Sequence, residues 1–248
     1  MIARTFDWDW ARAEHEFLRA IELNPGEPYG HSILGWHYAC LGRFDDAISK
    51  SQEAIDLDPL HLINNNGLAR IYAFAGRYEE ALAQSQKVLE MDPAFLPALH
   101  GESVDYIVLS RYDKAVELIE RGIAIHGRLP SLLGDLVWAH AAAGRKAQAE
   151  ALLDELHARD RDEYVTASTF AWAYAALGDM DEAFRWLDQA VEDHDNLLST
   201  PYWPAWNLLR GDPRFLDMLR RINYPEIEAF EAAVQNAASS ETTQNPVD

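Results

Sequence analysis

Six alanines stand 34 residues apart without a slip: Ala13, Ala47, Ala81, Ala115, Ala149 and Ala183. No other feature narrows the fold so far. Self-similarity at a fixed step of this size marks stacked repeats, each a supersecondary unit too small to bury its own apolar face. Other columns keep the same step. Prolines fall at Pro25, Pro59 and Pro93, and glycines at Gly42, Gly76, Gly144 and Gly178, with Ser110 in the gap. Aromatics recur at Trp10, Phe44, Tyr78 and Tyr112, and again at Tyr38, Tyr72, Tyr106 and Tyr174.

With the alanines at position 20 of a unit numbered 1 to 34, the residue types read as helix A, a tight turn and helix B. A small residue at position 20 lets the two helices approach. The glycine at position 15 closes helix A, where a left-handed residue costs little. The proline at position 32 stops helix B, and it pushes the residue before it out of the helical region. Large residues at positions 7, 11, 17 and 24 fill the space between helices.

These residues resemble the tetratricopeptide repeat. GRFDDAISKSQEAIDLDP (42–59) and GRYEEALAQSQKVLEMDP (76–93) are similar to helix B sequences of that family, and the likeness spans roughly residues 6–197. It implies an all-α chain wound as a right-handed superhelix of helix pairs, acting as a non-enzymatic scaffold for protein–protein contact. A narrower likeness lies at the two ends. FDWDWARAEHEFLRAIELNP (6–25) and LLRGDPRFLDMLRRI (208–222) resemble tetratricopeptide regions found C-terminal in bacterial multidomain signalling and regulator proteins. It implies a cytoplasmic sensory or assembly module docked on an upstream effector domain, or an extracytoplasmic module if the chain follows a membrane span.

The first unit, residues 1–27, is incomplete and holds helix B alone. Trp8 and Trp10 are left without the helix A on which they would pack. Either the chain is cut there from a larger protein, or residues 1–7 form an irregular cap. An uncovered apolar end would self-associate or dock on an upstream domain. Five full units follow at 28–61, 62–95, 96–129, 130–163 and 164–197. Two of them drift, with Glu102, Gly127, His140, Lys146 and Arg161 at consensus positions, so the joint at 127–130 is expected to open most easily. Beyond 197 the period breaks. STPYWPAW (199–206) reads as an irregular loop whose aromatics cover the end of the last repeat. Asp212 as N-cap and Pro213 at the first helical position begin a helix with Phe215, Met218, Leu219 and Ile222 on its apolar face. A further helix from Pro225 to about Ala237 completes a C-terminal cap over 198–237, and the polar residues 238–248 are expected to be disordered.

A formal charge of −20 argues against nucleic acid and against an anionic membrane surface, and favours partners with basic patches. Cys40 is the single cysteine, so no disulfide framework exists. No apolar run approaches the ~18–20 residues of a membrane span, and no signal peptide is evident. No catalytic motif survives inspection. HEFLR (15–19) is not a zinc-binding H-E-x-x-H, because Arg19 holds its last position. His31, His100 and His140 fall on different helix A faces. Neither a cofactor nor a metal is expected.

Function is therefore sought in the concave groove. The resemblance assigns positions 2, 5, 9 and 12–13 of helix A to it. They supply Tyr29, Ser32, Trp36 and Cys40, then Asn66, Arg70 and Phe74, then His100, Val104 and Val108, then Trp138, then Ser168 and Trp172. Position 9 carries three tryptophans, Trp36, Trp138 and Trp172. Two readings stand: a site for an apolar peptide or helix, or tryptophans packed within the superhelix. Since the chain repels anions and Arg70 is the cation of this set, the expected ligand is a basic amphipathic segment, such as a helix laid in the groove. The runner-up is an apolar or aromatic small molecule. The carboxylate clamp of the resembled family needs Lys, Asn and Arg from several units, and Asn66 with Arg70 falls short of it.

If the register is right, Ala81→Leu overpacks an A–B contact and costs about 1–3 kcal/mol. A thermal melt superimposable on wild type would refute the register.

Overall fold

All six column alanines are fully buried, at 0 % exposure. Gly35 shows how close helices A and B run. A Cβ added there would lie 2.6 Å from Ser51 Oγ and 3.0 Å from the Ala47 carbonyl oxygen. The computed structural model describes residues 2–244, with side chains through Asn236. Its helices are α1 (Ile2–Thr5), α2 (Trp10–Leu23), α3 (Pro28–Cys40), α4 (Phe44–Leu57), α5 (Leu62–Phe74), α6 (Tyr78–Met91), α7 (Leu96–Val108), α8 (Tyr112–His126), α9 (Pro130–Ala142), α10 (Lys146–Arg159), α11 (Ala167–Leu177), α12 (Met180–Glu192), α13 (Pro213–Arg221) and α14 (Ile227–Gln244). Two 3-10 turns, Asn196–Ser199 and Pro204–Leu208, lie between α12 and α13. Among the described residues there is no strand, and no helix is long and apolar enough to cross a membrane.

The helix boundaries follow the sequence columns. Asn24, Asp58 and Asp92, each before a proline, take extended φ values of −145°, −143° and −142° and end their helices. The A-to-B turns need left-handed backbone. Gly42 and Gly76 supply it at φ +77° and +73°, and Ser110 is forced to φ +58° in the same place. The pairs α3–α4 through α11–α12 stack in order, and successive A helices adjoin to line one side.

Two departures have physical causes. Helix α11 starts at Ala167 rather than at the step position 164, because the turn before it has no proline, whereas each on-step turn carries Pro25, Pro59 or Pro93, or Pro130 at the first helical position where Gly127 stands instead. The thinnest helix B to helix A joint lies there, between α10 and α11. At the joint at 127–130 the Arg128–Glu155 ion pair ties the turn to α10, and His126 Nε2 lies 2.7 Å from the Ala94 carbonyl oxygen of the turn before α7. Helix α14 continues to Gln244, past the end expected near 237. Residues 245–248 of the expected tail lie outside the described residues.

The two ends of the superhelix meet. Residues 2–5 form a helical turn, not an irregular cap, and pack beside the 3-10 turn 196–199. Trp8 stacks on His194 with ring centroids 4.6 Å apart. Trp10 is buried, donates its indole N–H to the Ile222 carbonyl at 3.2 Å, and meets Tyr224 edge-on at 5.4 Å. Tyr224 donates its hydroxyl to the Cys40 carbonyl at 3.1 Å. The surface expected to self-associate is thus covered within the chain, while Ile2 and Phe6 stay exposed beside it. At the other end α13 covers α12. Asp212 caps it as expected, accepting from Arg214 N, and Phe215, Met218, Leu219 and Ile222 are all buried. Arg214 pairs with Asp181 at 2.9 Å and lies over the Phe184 ring.

Where α2 packs on α3, His37 is fully buried among Trp10, Phe17 and Tyr38. Burial pushes its pKa down to about 3, and the charges of Arg4 and Arg43 add to the effect. The ring is neutral in the folded chain, whereas the unfolded chain takes up a proton near pH 6.5. Stability contributed at neutral pH is therefore lost as pH falls from about 6.5 toward 3, by up to about 1.4 kcal/mol per pH unit. His37→Phe removes this component. Urea denaturation should show wild type losing about 2 kcal/mol relative to the variant between pH 7 and pH 5.

Candidate functional site

A step of 34 residues returns each helix A to the same orientation, so equal positions in successive units fall on one wall. Position 9 illustrates this. Trp36 packs on Phe74 with centroids 5.0 Å apart, and Trp138 and Trp172 are both buried, at 5 % and 1 % exposure. The groove does not stand open. The segment after α12 turns back into it. Trp203 and Trp206 point at the wall and are 2 % and 0 % exposed. The 3-10 turn 204–208 packs on α7 and α11.

Each indole meets residues the sequence had placed in the groove. Trp203 lies 5.4 Å from the His100 ring and 6.2 Å from Phe74. Arg70 is held between two indoles, its guanidinium carbon 5.0 Å from the Trp36 centroid and 4.7 Å from that of Trp203. Desolvated cation–π contacts of this kind contribute about 2 kcal/mol. Burial pushes the Arg70 pKa down to about 10, so it remains cationic at neutral pH. The same burial, reinforced by the Glu102 charge, holds the Asp105 carboxyl well above the usual carboxylate range, against the pull of Arg70. His100 Nε2 lies 2.9 Å from Asp135 Oδ2, within ion-pair distance of that buried carboxyl. Trp206 meets Trp172 at 6.0 Å and Phe215 at 6.1 Å.

Of the expected groove set, Trp36, Arg70, Phe74, His100 and Trp172 are therefore gathered against the chain's own tryptophans. Asn66 is buried, Ser32 is half-buried, and Tyr29 at the rim is exposed. Cys40 is a buried wall residue. Its Sγ lies 3.6 Å from Arg4 Nη1, and burial raises the pKa of its thiol. Among the described residues no group of three His, Cys, Asp or Glu is disposed to hold a metal.

The intruding segment is pinned as well as packed. Arg210 donates to the carbonyls of Pro201 and Trp203, both at 3.1 Å, and lies over the Tyr202 and Phe230 rings. Tyr202 reaches the first full unit, meeting Phe44 edge-on at 5.0 Å and lying over the Gly42 turn. Sequence reasoning placed these aromatics over the end of the last repeat and missed their reach into the groove. The signal available was the tryptophan column itself, whose large apolar faces require a cover.

Tetratricopeptide-repeat models match residues 9–61, 41–101, 109–169 and 165–200. Together these cover well over half of the chain. No curated protein matches. Among solved structures, a thermophilic tetratricopeptide-repeat protein of Thermus thermophilus is 22% identical, covering 73% of this chain and 99% of its own at a TM-score of 0.56. The type IV pilus biogenesis factor PilW is 19% identical, over 75% and 86%, at 0.59. A tetratricopeptide-repeat protein from Parabacteroides merdae is 15% identical, over 94% and 97%, at 0.57. At such identities the likeness is one of fold.

Gly42 and Gly76 separate turn strain from closure. Both have positive φ, but a Cβ on Gly42 would sit 2.5 Å from the Tyr202 hydroxyl, whereas nothing lies within 4 Å of one on Gly76. Gly76→Ala should cost about 1–2 kcal/mol from backbone alone, and Gly42→Ala about 1–3 kcal/mol more from overpacking. Chemical denaturation of the two variants gives the comparison, and equal losses would mean that Tyr202 does not lie on the turn.

Proposed function

We propose that this chain, which belongs to the tetratricopeptide-repeat family, is a non-catalytic scaffold for protein–protein contact whose groove is kept shut by its own C-terminal segment and whose partners bind outside it. The observation that carries this reading is the burial of Trp203 and Trp206 against the position 9 wall. An aromatic side chain buries about 150–250 Å², which at about 25 cal/mol per Å² is about 4–6 kcal/mol each as an upper value. A ligand displacing both must return up to about 10 kcal/mol before it gains any net affinity. A micromolar peptide contributes only about 8 kcal/mol in all. Withdrawal of the segment would also uncover Phe215, Tyr224 and Phe230, all buried.

The same packing weakens the small-molecule alternative, because the aromatic wall such a ligand would use is taken by the two indoles. The acidity of the chain favours a basic partner, as the charge of −20 indicates. A place beside an effector domain in a bacterial signalling protein rests on the likeness of residues 6–25 and 208–222, and Ile2 and Phe6 supply an exposed apolar surface at the N-terminal end for such a domain.

Trp203→Ala should lower stability by about 3–5 kcal/mol in urea. A synthetic peptide of residues 199–210 should show no binding to the wild-type chain in calorimetry. Micromolar binding of that peptide, or a variant as stable as wild type, would mean that the groove opens and the closed reading is wrong.

A further inference from the structure

Exposed apolar side chains on this molecule are not scattered. Of the eleven large hydrophobic residues that are exposed among the described residues, eight lie at the turns joining helix B of one unit to helix A of the next. Four keep the 34-residue step, Leu23, Leu57, Met91 and Ile125, and so align along one edge of the superhelix. Leu60 and Ile63, 77 % and 61 % exposed, thicken the row at the second turn. There they border a depression that also takes in Asp58, His61 and Phe95. A contiguous apolar row of this kind marks an interaction surface more often than singly exposed residues do.

The charges beside the row at Leu57 and Met91 are mostly acidic, with Arg121 the exception, its Nη2 2.6 Å from the Pro93 carbonyl oxygen. Glu22, Asp56 and Glu90 precede its members, and Asp58 and Asp92 follow. Of these, Glu22 alone has a basic partner within ion-pair distance among the described residues, Arg19. The opposite edge differs. Its column of Arg43, Arg77, Arg111 and Arg145 is paired throughout, with Glu14, Glu80, Glu79 and Asp113. The two edges carry the same kind of period, but on the apolar edge Asp56, Asp58, Glu90 and Asp92 have no ion-pair partner among the described residues, Asp56 accepting instead from Gln52 and Asp92 from the Ala94 N–H.

We infer that the edge carrying Leu57, Met91 and Ile125 docks a cationic amphipathic helix of another protein. The inference rests on the scaffold reading and names its surface and partner class. Spacing argues for a helix. The A helices that begin just past each row member adjoin one another, about 10 Å apart as packed helices are, and seven residues of α-helix rise about 10.5 Å. Leucines at i, i+7 and i+14 would therefore meet successive turns, with lysines on either flank facing the carboxylate columns. Neither the shut groove nor the closed ends need move.

The probe is a designed helical peptide with leucines at i, i+7 and i+14 and flanking lysines, titrated calorimetrically into the full chain. A second peptide replaces every lysine with glutamate. The lysine peptide should bind, lose at least tenfold in affinity between 50 and 300 mM salt (on the order expected for exposed charges), and outbind the glutamate peptide at least tenfold. Leu57→Ser, Leu60→Ser and Ile63→Ser combined should weaken it at least tenfold. These residues are exposed and the net charge of −20 is unchanged, so a loss reports the row and not general acidity. Leu18→Ser, off the row, should leave the affinity as it was. No binding, equal binding by both peptides, or indifference to the triple substitution each overturns the inference. If binding is instead strengthened by Trp203→Ala, the peptide enters the groove vacated by the indole, and the edge inference falls while the closed reading of the wild-type chain stands.

Discussion

Each helix pair of this chain buries its apolar face only against the pair before and after it, so a stack of them leaves two faces uncovered. Everything distinctive in the structure follows from how those faces are dealt with. One segment, from His194 through Phe230, covers both. Its α13 closes the α12 end with Phe215, Met218 and Leu219, and Ile222 and Tyr224 close the α2 end on Trp10. A single cover suffices because the curvature of the superhelix brings the ends together. The route between them runs along the concave wall.

The groove is therefore a core and not a cleft. Aromatic rings that would line a binding site elsewhere act here as the inner face of a closed layer, with Arg70 sandwiched between Trp36 and Trp203. A polar stripe is buried along with them. Asp105 and Asp135 are 2 % and 1 % exposed, and Ser168 bonds Asp195 from the turn beyond α12. Such groups cost stability when poorly matched and favour one arrangement over its neighbours when matched, which suits a segment that must find one register in a groove of similar units.

Periodic features were legible in the sequence. Helix A begins at 28, 62, 96 and 130, the alanine column is buried, and Ser110 takes the left-handed turn conformation of the glycines it replaces. Each depends on contacts within a unit or between adjacent units, which residue type and spacing encode. The destination of Trp203 and Trp206 was not legible, because it depends on the curvature accumulated over five units. The tryptophans of position 9 are visible in the sequence as a column, yet spacing alone leaves ligand and self-packing equally open. At the joint at 127–130, where consensus residues are lost, Arg128 and His126 make contacts to α10 and to Ala94 that no consensus records.

Stacked repeats fold from local contacts and are free to fray at either end. Here Tyr224 bonds to Cys40 across 184 residues, and Trp10 to Ile222 across 212. Contacts so distant in sequence form late, since the loop they close must first lose its freedom. The stack can zip unit by unit, but its last event is a ring closure that ties the first helices to the last. A chain built like a zipper is thereby made to open like a clasp, all at once, with neither α2 nor α13 able to peel away alone.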